Sequence, residues 1–159
     1  MKVLILGVGN VLMGDEGVGV HAVDAMSGRR WPQEVTLLDG GTGGFHLMGP
    51  LIEQDVVIFV DATIDGRPAG SIKVIEPRFA SDFPKTLSAH DIGLKDMIES
   101  LFVLGCQPRL FLVAVSIEAM QPMCLSLSEA VRAAIPLVEN QVSNLVHFLC
   151  EGQLRSNVA

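Results

Sequence analysis

Four short apolar runs separated by helical stretches restrict this fold more than any other feature of the chain. Lys2-Val3-Leu4-Ile5-Leu6 ends at Gly7, and Val35-Thr36-Leu37-Leu38-Asp39 ends at Gly40-Gly41. Asp55-Val56-Val57-Ile58-Phe59-Val60 closes on Asp61, and the run 110–116 forms the last. Apolar runs of this length fit strands of a sheet buried on both faces. Between them, residues 17–26 predict a helix with Val18, Ala22, Ala25 and Met26 on one stripe, and a shorter helix spans about 44–54. Strands alternating with helices predict an α/β sheet covered on both sides.

One connection breaks the pattern. Only residues 62–70 separate Asp61 from the run 71–76, and they include the turn Asp65-Gly66-Arg67-Pro68-Ala69-Gly70. A parallel crossover needs about a dozen residues. The fourth strand is therefore expected to run antiparallel to the third, at a sheet edge. Leu94, Met97, Ile98, Leu101 and Phe102 then repeat at helical spacing, with Lys95, Asp96, Glu99 and Ser100 opposite. Ser126 with Glu129 three residues on predicts a capping box for the last helix. Val131, Ile135, Val138, Val142, Leu145 and Leu149 form its stripe, Pro136 is expected to kink or split it, and Gly152 to stop it. The expectation is a single domain over residues 1–152 with a loose tail over 153–159.

Composition narrows the function. In 159 residues, 49% are apolar and 18% charged, which suits one large core. A net charge of -7, with 11 basic against 18 acidic residues, speaks against a nucleic-acid partner. No stretch is apolar enough to span a bilayer, and the first strand starts almost at Met1, so a membrane is not expected and the cytoplasm is. Cys106, Cys124 and Cys150 lack the spacing of a disulfide framework or zinc site and read as small buried apolar side chains.

Three residues with metal-binding side chains fall where an open parallel sheet collects its ligands, beyond the carboxyl ends of strands. Glu16 follows strand one in Gly14-Asp15-Glu16-Gly17-Val18-Gly19, Asp61 closes strand three, and His90 heads the amphipathic helix in Ser88-Ala89-His90-Asp91. Two carboxylates and an imidazole make an incomplete shell that leaves positions open to substrate or solvent. Each has a bland alternative: Glu16 as an acid at a helix start, Asp61 as a turn cap, His90 as a polar helix-start residue. Their joint placement favours a site. Asp39, before Gly40-Gly41-Thr42-Gly43-Gly44, is a fourth acid at the same edge, with a solvated loop as its alternative. His21, His46 and His147 have no comparable context. Gly7-Val8-Gly9 resembles a dinucleotide fingerprint, but Leu12 replaces the third glycine and Asp15 and Glu16 would repel a pyrophosphate.

Taken together, Gly7-Val8-Gly9-Asn10-Val11-Leu12, Gly14-Asp15-Glu16-Gly17-Val18-Gly19, Asp39-Gly40-Gly41-Thr42, Val60-Asp61-Ala62 and His90 resemble the hydrogenase maturation endopeptidases, over residues 1–150 and in order. The resemblance implies a three-layer α/β/α sandwich of the phosphorylase/hydrolase-like type, with a mixed five-stranded sheet of order 2-1-3-5-4 and strand four antiparallel. It implies that Glu16, Asp61 and His90 contact metal. The implied reaction removes a C-terminal extension from the precursor of a nickel-iron hydrogenase large subunit, with nickel supplied by that precursor and the free enzyme a monomer. Asp91, where relatives vary, bears on which precursor is accepted. Whether Glu16 or Asp39 acts as a base stays open. Peptidyl-tRNA hydrolases share the fold type and an early Gly-x-Gly-Asn, but need a basic surface. A nickel carrier without peptidase activity is the other alternative.

Overall fold

The computed structural model of the chain describes residues 1–78, 82 and 94–156. Every residue of β1 (Val3–Val8) and β3 (Val56–Thr63) is buried, as is all of β5 (Arg109–Ser116) except Arg109. These apolar runs take the centre of the sheet. β2 (Val35–Gly41) and the short, half-exposed β4 (Ile72–Ile75) take the edges. The order is β2-β1-β3-β5-β4, with β1 parallel to β2 and β3, and β3 parallel to β5. β4 pairs antiparallel with β5, as its short connection requires.

Alternation along the central strands divides the core in two. Val3, Ile5, Ile58 and Val60 face one side, with Val18, Ala22 and Met26 of α1 (Val18–Met26) and Val131, Val138 and Val142 of α4 (Glu129–Ser156). Leu4, Leu6, Val57 and Phe59 face the other, with Leu51 of α2 (Met48–Ile52) and Met97, Ile98 and Leu101 of α3 (Leu94–Val103). Each such Val, Leu, Ile, Phe or Met side chain contributes about 1.5–3 kcal/mol on burial. The result is a three-layer α/β/α sandwich. No helix of the described residues is long and apolar enough to cross a membrane.

Gly19 sets how closely α1 approaches the sheet. A Cβ there would stand 2.1 Å from the Val60 carbonyl oxygen and 2.3 Å from that of Val8, so only glycine lets the helix rest on the ends of β1 and β3. That contact holds the preceding turn against β3.

Several local expectations change. Ala25 is exposed, and Val23 takes its place in the buried stripe of α1. The helix expected over 44–54 is a 3-10 turn, Phe45–Leu47, followed by the short α2. α4 begins at Glu129, so Glu129 is its first residue, Ser128 precedes it, and the Ser126–Glu129 box does not form. Pro136 lies inside α4 without ending it: the proline is exposed, and the carbonyl it frees belongs to exposed Arg132, within reach of water. The helix also passes Gly152 and ends at Ser156; one glycine costs an exposed helix only about 1 kcal/mol. Leu145 is half-buried, whereas Val146 beside it is fully so. The three cysteines are half-buried and free.

Candidate active site

The crevice follows from the sheet topology. β1 pairs with β3 only as far as Gly7 opposite Val60, while β3 continues beside β5 to Thr63 opposite Ser116. The chain leaves β1 for β2 on one side, and β3 lies on the other, so the order reverses between β1 and β3. Ligands of open α/β sheets collect at such a point. Asp61 is the first β3 residue beyond the pairing with β1. It lies two residues inside the strand, not at its end as expected, because β5 extends the ladder.

Glu16 comes from the turn after β1. Residues Gly14–Gly17 form a 3-10 turn, and all four are buried. The Asn10 N–H donates to Glu16 Oε2, and the Asn10 side-chain oxygen accepts the Leu12 N–H at 2.9 Å, which folds the loop around the carboxylate. Burial raises the Glu16 pKa from its ordinary 4.5, against the opposing effect of the Asn10 N–H.

Asp61 is only 3% exposed. Its Oδ1 accepts the Ala62 N–H at 2.8 Å, whereas its buried Oδ2 has no partner among the described residues. Burial pushes its pKa well above 3.8; the Ala62 N–H opposes this, and the nearby negative charge of Glu16 adds to it. Glu16 and Asp61 are thus both buried near the reversal point, with the Glu16 charge bearing on Asp61. Among the described residues no three His, Cys, Asp or Glu side chains converge, and His90, the third expected member, lies outside the described residues.

Asp39 stands elsewhere in character. It is exposed near the end of β2, opposite Gly7 in register, and its Oδ1 accepts the Gly41 N–H at 2.9 Å. It caps its own turn. His46 and His147 are exposed, whereas His21 has its Nε2 buried with no partner among the described residues.

Sequence reasoning passed over Asp15. It is 2% exposed, accepts the Ser128 N–H at 2.7 Å through Oδ1 and the Gln121 side-chain amide at 3.2 Å through Oδ2. Its own N–H donates to the Gln121 side-chain oxygen at 2.8 Å. The carboxylate therefore ties the Glu16 turn to the loop after β5 and to the start of α4, where a negative charge complements the helix dipole. Gln121 lies too far along the chain for any local pattern to reveal it.

Residues 20–145 match the family model described as hydrogenase maturation protease. The chain belongs to the hydrogenase maturation protease family. It is 36% identical to the hydrogenase 2 maturation protease of Escherichia coli over 146 residues, covering 89% of this chain and 88% of that protein. It is 37% identical to the hydrogenase expression/formation protein HoxM of Azotobacter vinelandii, over 94% of this chain and 73% of that one. The solved hydrogenase maturating endopeptidase HybD from E. coli superposes with a TM-score of 0.84 at 34% identity, covering 92% of this chain and 93% of its own. This member of the family is accordingly a peptidase of hydrogenase maturation, and the sheet order and antiparallel β4 implied by the family resemblance are those observed.

Proposed function

We propose that the chain removes the C-terminal extension from the nickel-loaded precursor of a nickel-iron hydrogenase large subunit, and that Glu16, Asp61 and His90 engage the nickel carried by that substrate. One observation carries the reading: the buried Oδ2 of Asp61 near Glu16, without a partner among the described residues, in a protease of hydrogenase maturation. A buried oxygen with no donor calls for a partner. Oxygen and imidazole donors suit a borderline divalent cation that arrives partly coordinated. Nickel in that place would polarise a peptide carbonyl as a Lewis acid.

The chain's own residues supply the rest. A carboxylate oxygen of the pair that is not used on the nickel draws a proton from the attacking water and passes it to the leaving amine. This is acid–base chemistry of the aspartyl-endopeptidase kind. Water adds to the carbonyl carbon, the carbon–nitrogen bond breaks, and the amine departs protonated. The Asn10 N–H and the Ala62 N–H orient the two carboxyls for these transfers.

The test is to incubate the protein with the large-subunit precursor of its own organism, nickel-loaded and nickel-free, and to weigh the subunit by mass spectrometry. The expected result is a shortened chain with nickel and an unchanged mass without it. His90→Ala should abolish cutting while leaving the thermal melting curve in place. A nickel-loaded precursor that binds yet keeps its mass would overturn the peptidase reading for this client and favour a carrier.

A further inference from the structure

Two loops at the carboxyl edge of the sheet meet just outside the Glu16–Asp61 crevice. The Cys124 N–H donates to the Leu12 carbonyl at 3.1 Å, and the Gly14 N–H to the Cys124 carbonyl at 2.7 Å, so Met13 and Cys124 form a parallel bridge. The Gln121 N–H donates to the Met13 carbonyl at 3.2 Å, and Asp15 locks the same junction from below. This rigid seam presents three large apolar side chains to solvent: Leu12 at 51%, Met123 at 89% and Leu125 at 65% exposure.

Met123 is the most informative of the three. Among the described residues it is the non-glycine residue with a positive φ, 58°. A side chain in that region costs free energy that glycine would not, and such strain concentrates at functional sites. The cost gains no packing within the chain, because the side chain is almost wholly in water. Leu125, its neighbour across Cys124, also borders a cleft of about 440 Å³ with His21, Leu127, Ile135 and Pro136, between α1 and α4.

We propose that Leu12, Met123 and Leu125 form a docking platform for an extended, apolar segment of the client polypeptide, with one client side chain entering the cleft beside Leu125. The proposal rests on the peptidase reading above and names the surface that holds its substrate. Continuity with the site selects this occupant. Leu12 lies in the loop whose Asn10 both holds Glu16 and accepts the Leu12 N–H, and Gly17 packs its Cα against Val11 so closely that a Cβ would stand 2.8 Å from the Val11 Cα. A polypeptide with its scissile bond at Glu16 and Asp61 has this seam as an adjoining wall. A wall already fixed by backbone bonds loses little entropy on binding.

Met123→Gly tests the platform without endangering the fold, since glycine accepts the local φ. Wild type, Met123→Gly and the triple variant Leu12→Ser, Met123→Ser, Leu125→Ser are compared for precursor Kd, KM and kcat, for melting temperature, and for self-association by sedimentation. The expected result is a Met123→Gly variant at least as stable as wild type, with KM and Kd raised about 5–10-fold and kcat unchanged, the pattern of lost uniform binding. The triple variant should raise them further. Unchanged Kd and KM in both variants, with wild type cutting normally, would remove the platform and leave the peptidase reading intact. If wild type binds the nickel-loaded precursor without cutting it, the peptidase reading for this client falls, and the Kd comparison still decides the platform. If wild type neither binds nor cuts, both fall. Self-association lost in the triple variant while precursor Kd stays constant would make the seam a contact between copies of this chain, and would overturn the proposal.

Discussion

Asp15 and Glu16 are adjacent in sequence, equally buried and on one turn, yet they belong to chemically opposite regions. Asp15 sits in a seam where both carboxylate oxygens accept hydrogen bonds, from the Ser128 N–H and from the Gln121 amide. Glu16 faces a crevice where the Asn10 N–H donates to it and where the Oδ2 of nearby Asp61 has no donor among the described residues. A satisfied buried acid stabilises the negative charge and holds structure together. An under-satisfied pair keeps its proton affinity high and its lone pairs available. The contrast separates a carboxylate that fastens the fold from the two assigned to the proposed chemistry more sharply than burial does, since burial is nearly the same.

The largest test of this contrast is Asp61→Asn. Amide for carboxyl preserves shape but removes the acid, so precursor cleavage should fall by about 10²-fold or more. Stability should hold or rise, because a buried, uncompensated charge has been withdrawn. Parallel cleavage assays and urea titrations check both halves. A variant that unfolds at lower urea would mean that Asp61 is another structural acid, like Asp15.

Asp15→Ala should do the reverse. Leaving the Ser128 N–H and the Gln121 amide without their acceptor is expected to cost about 1–3 kcal/mol. Activity per folded molecule should drop far less than in Asp61→Asn, because the reacting pair is intact. Urea unfolding together with activity at matched folded fractions measures the two effects separately.

How much of this was legible in the sequence differs between the two regions for a physical reason. The α/β class and the antiparallel edge strand β4 follow from apolar periodicity and the length of one loop, which are local quantities, whereas the strand order was implied by the family resemblance. Glu16 and Asp61 were singled out because they follow the apolar runs of strands one and three, and both lie near the point where the strand order reverses. The Asp15–Gln121–Ser128 seam was not, since its partners are brought together only by the tertiary fold and none has a motif of its own. The end of α4 was misread for a related reason. Proline and glycine predict breaks from local cost alone, and the packing of Ala134, Val138, Val142 and Val146 outweighs that cost. His90 falls outside the described residues and cannot enter the comparison.

The smallest expected effect is the pH dependence of stability, which separates the crevice from the rest of the fold without any substrate. Burial raises the pKa of Asp61 well above 3.8, with help from the Glu16 charge, and burial raises that of Glu16 above 4.5. For an acid raised in the folded state the sign is the reverse of the usual one. Between the unfolded and folded pKa values the folded protein holds more protons than the unfolded chain, so stability falls as pH rises through that window. Below about pH 4 both states are protonated and the loss disappears; above the folded pKa values it is complete and levels off. The slope is at most about 1.4 kcal/mol per pH unit for each proton involved. Urea titrations of metal-free protein from pH 4 upward, with Asp61→Asn alongside, isolate the contribution. The wild type should lose stability relative to the variant as pH rises, and the two should converge at the acid end. A difference that stays constant across the range would mean that Asp61 is solvated or partnered in the folded protein, and the contrast with Asp15 would then lose its basis.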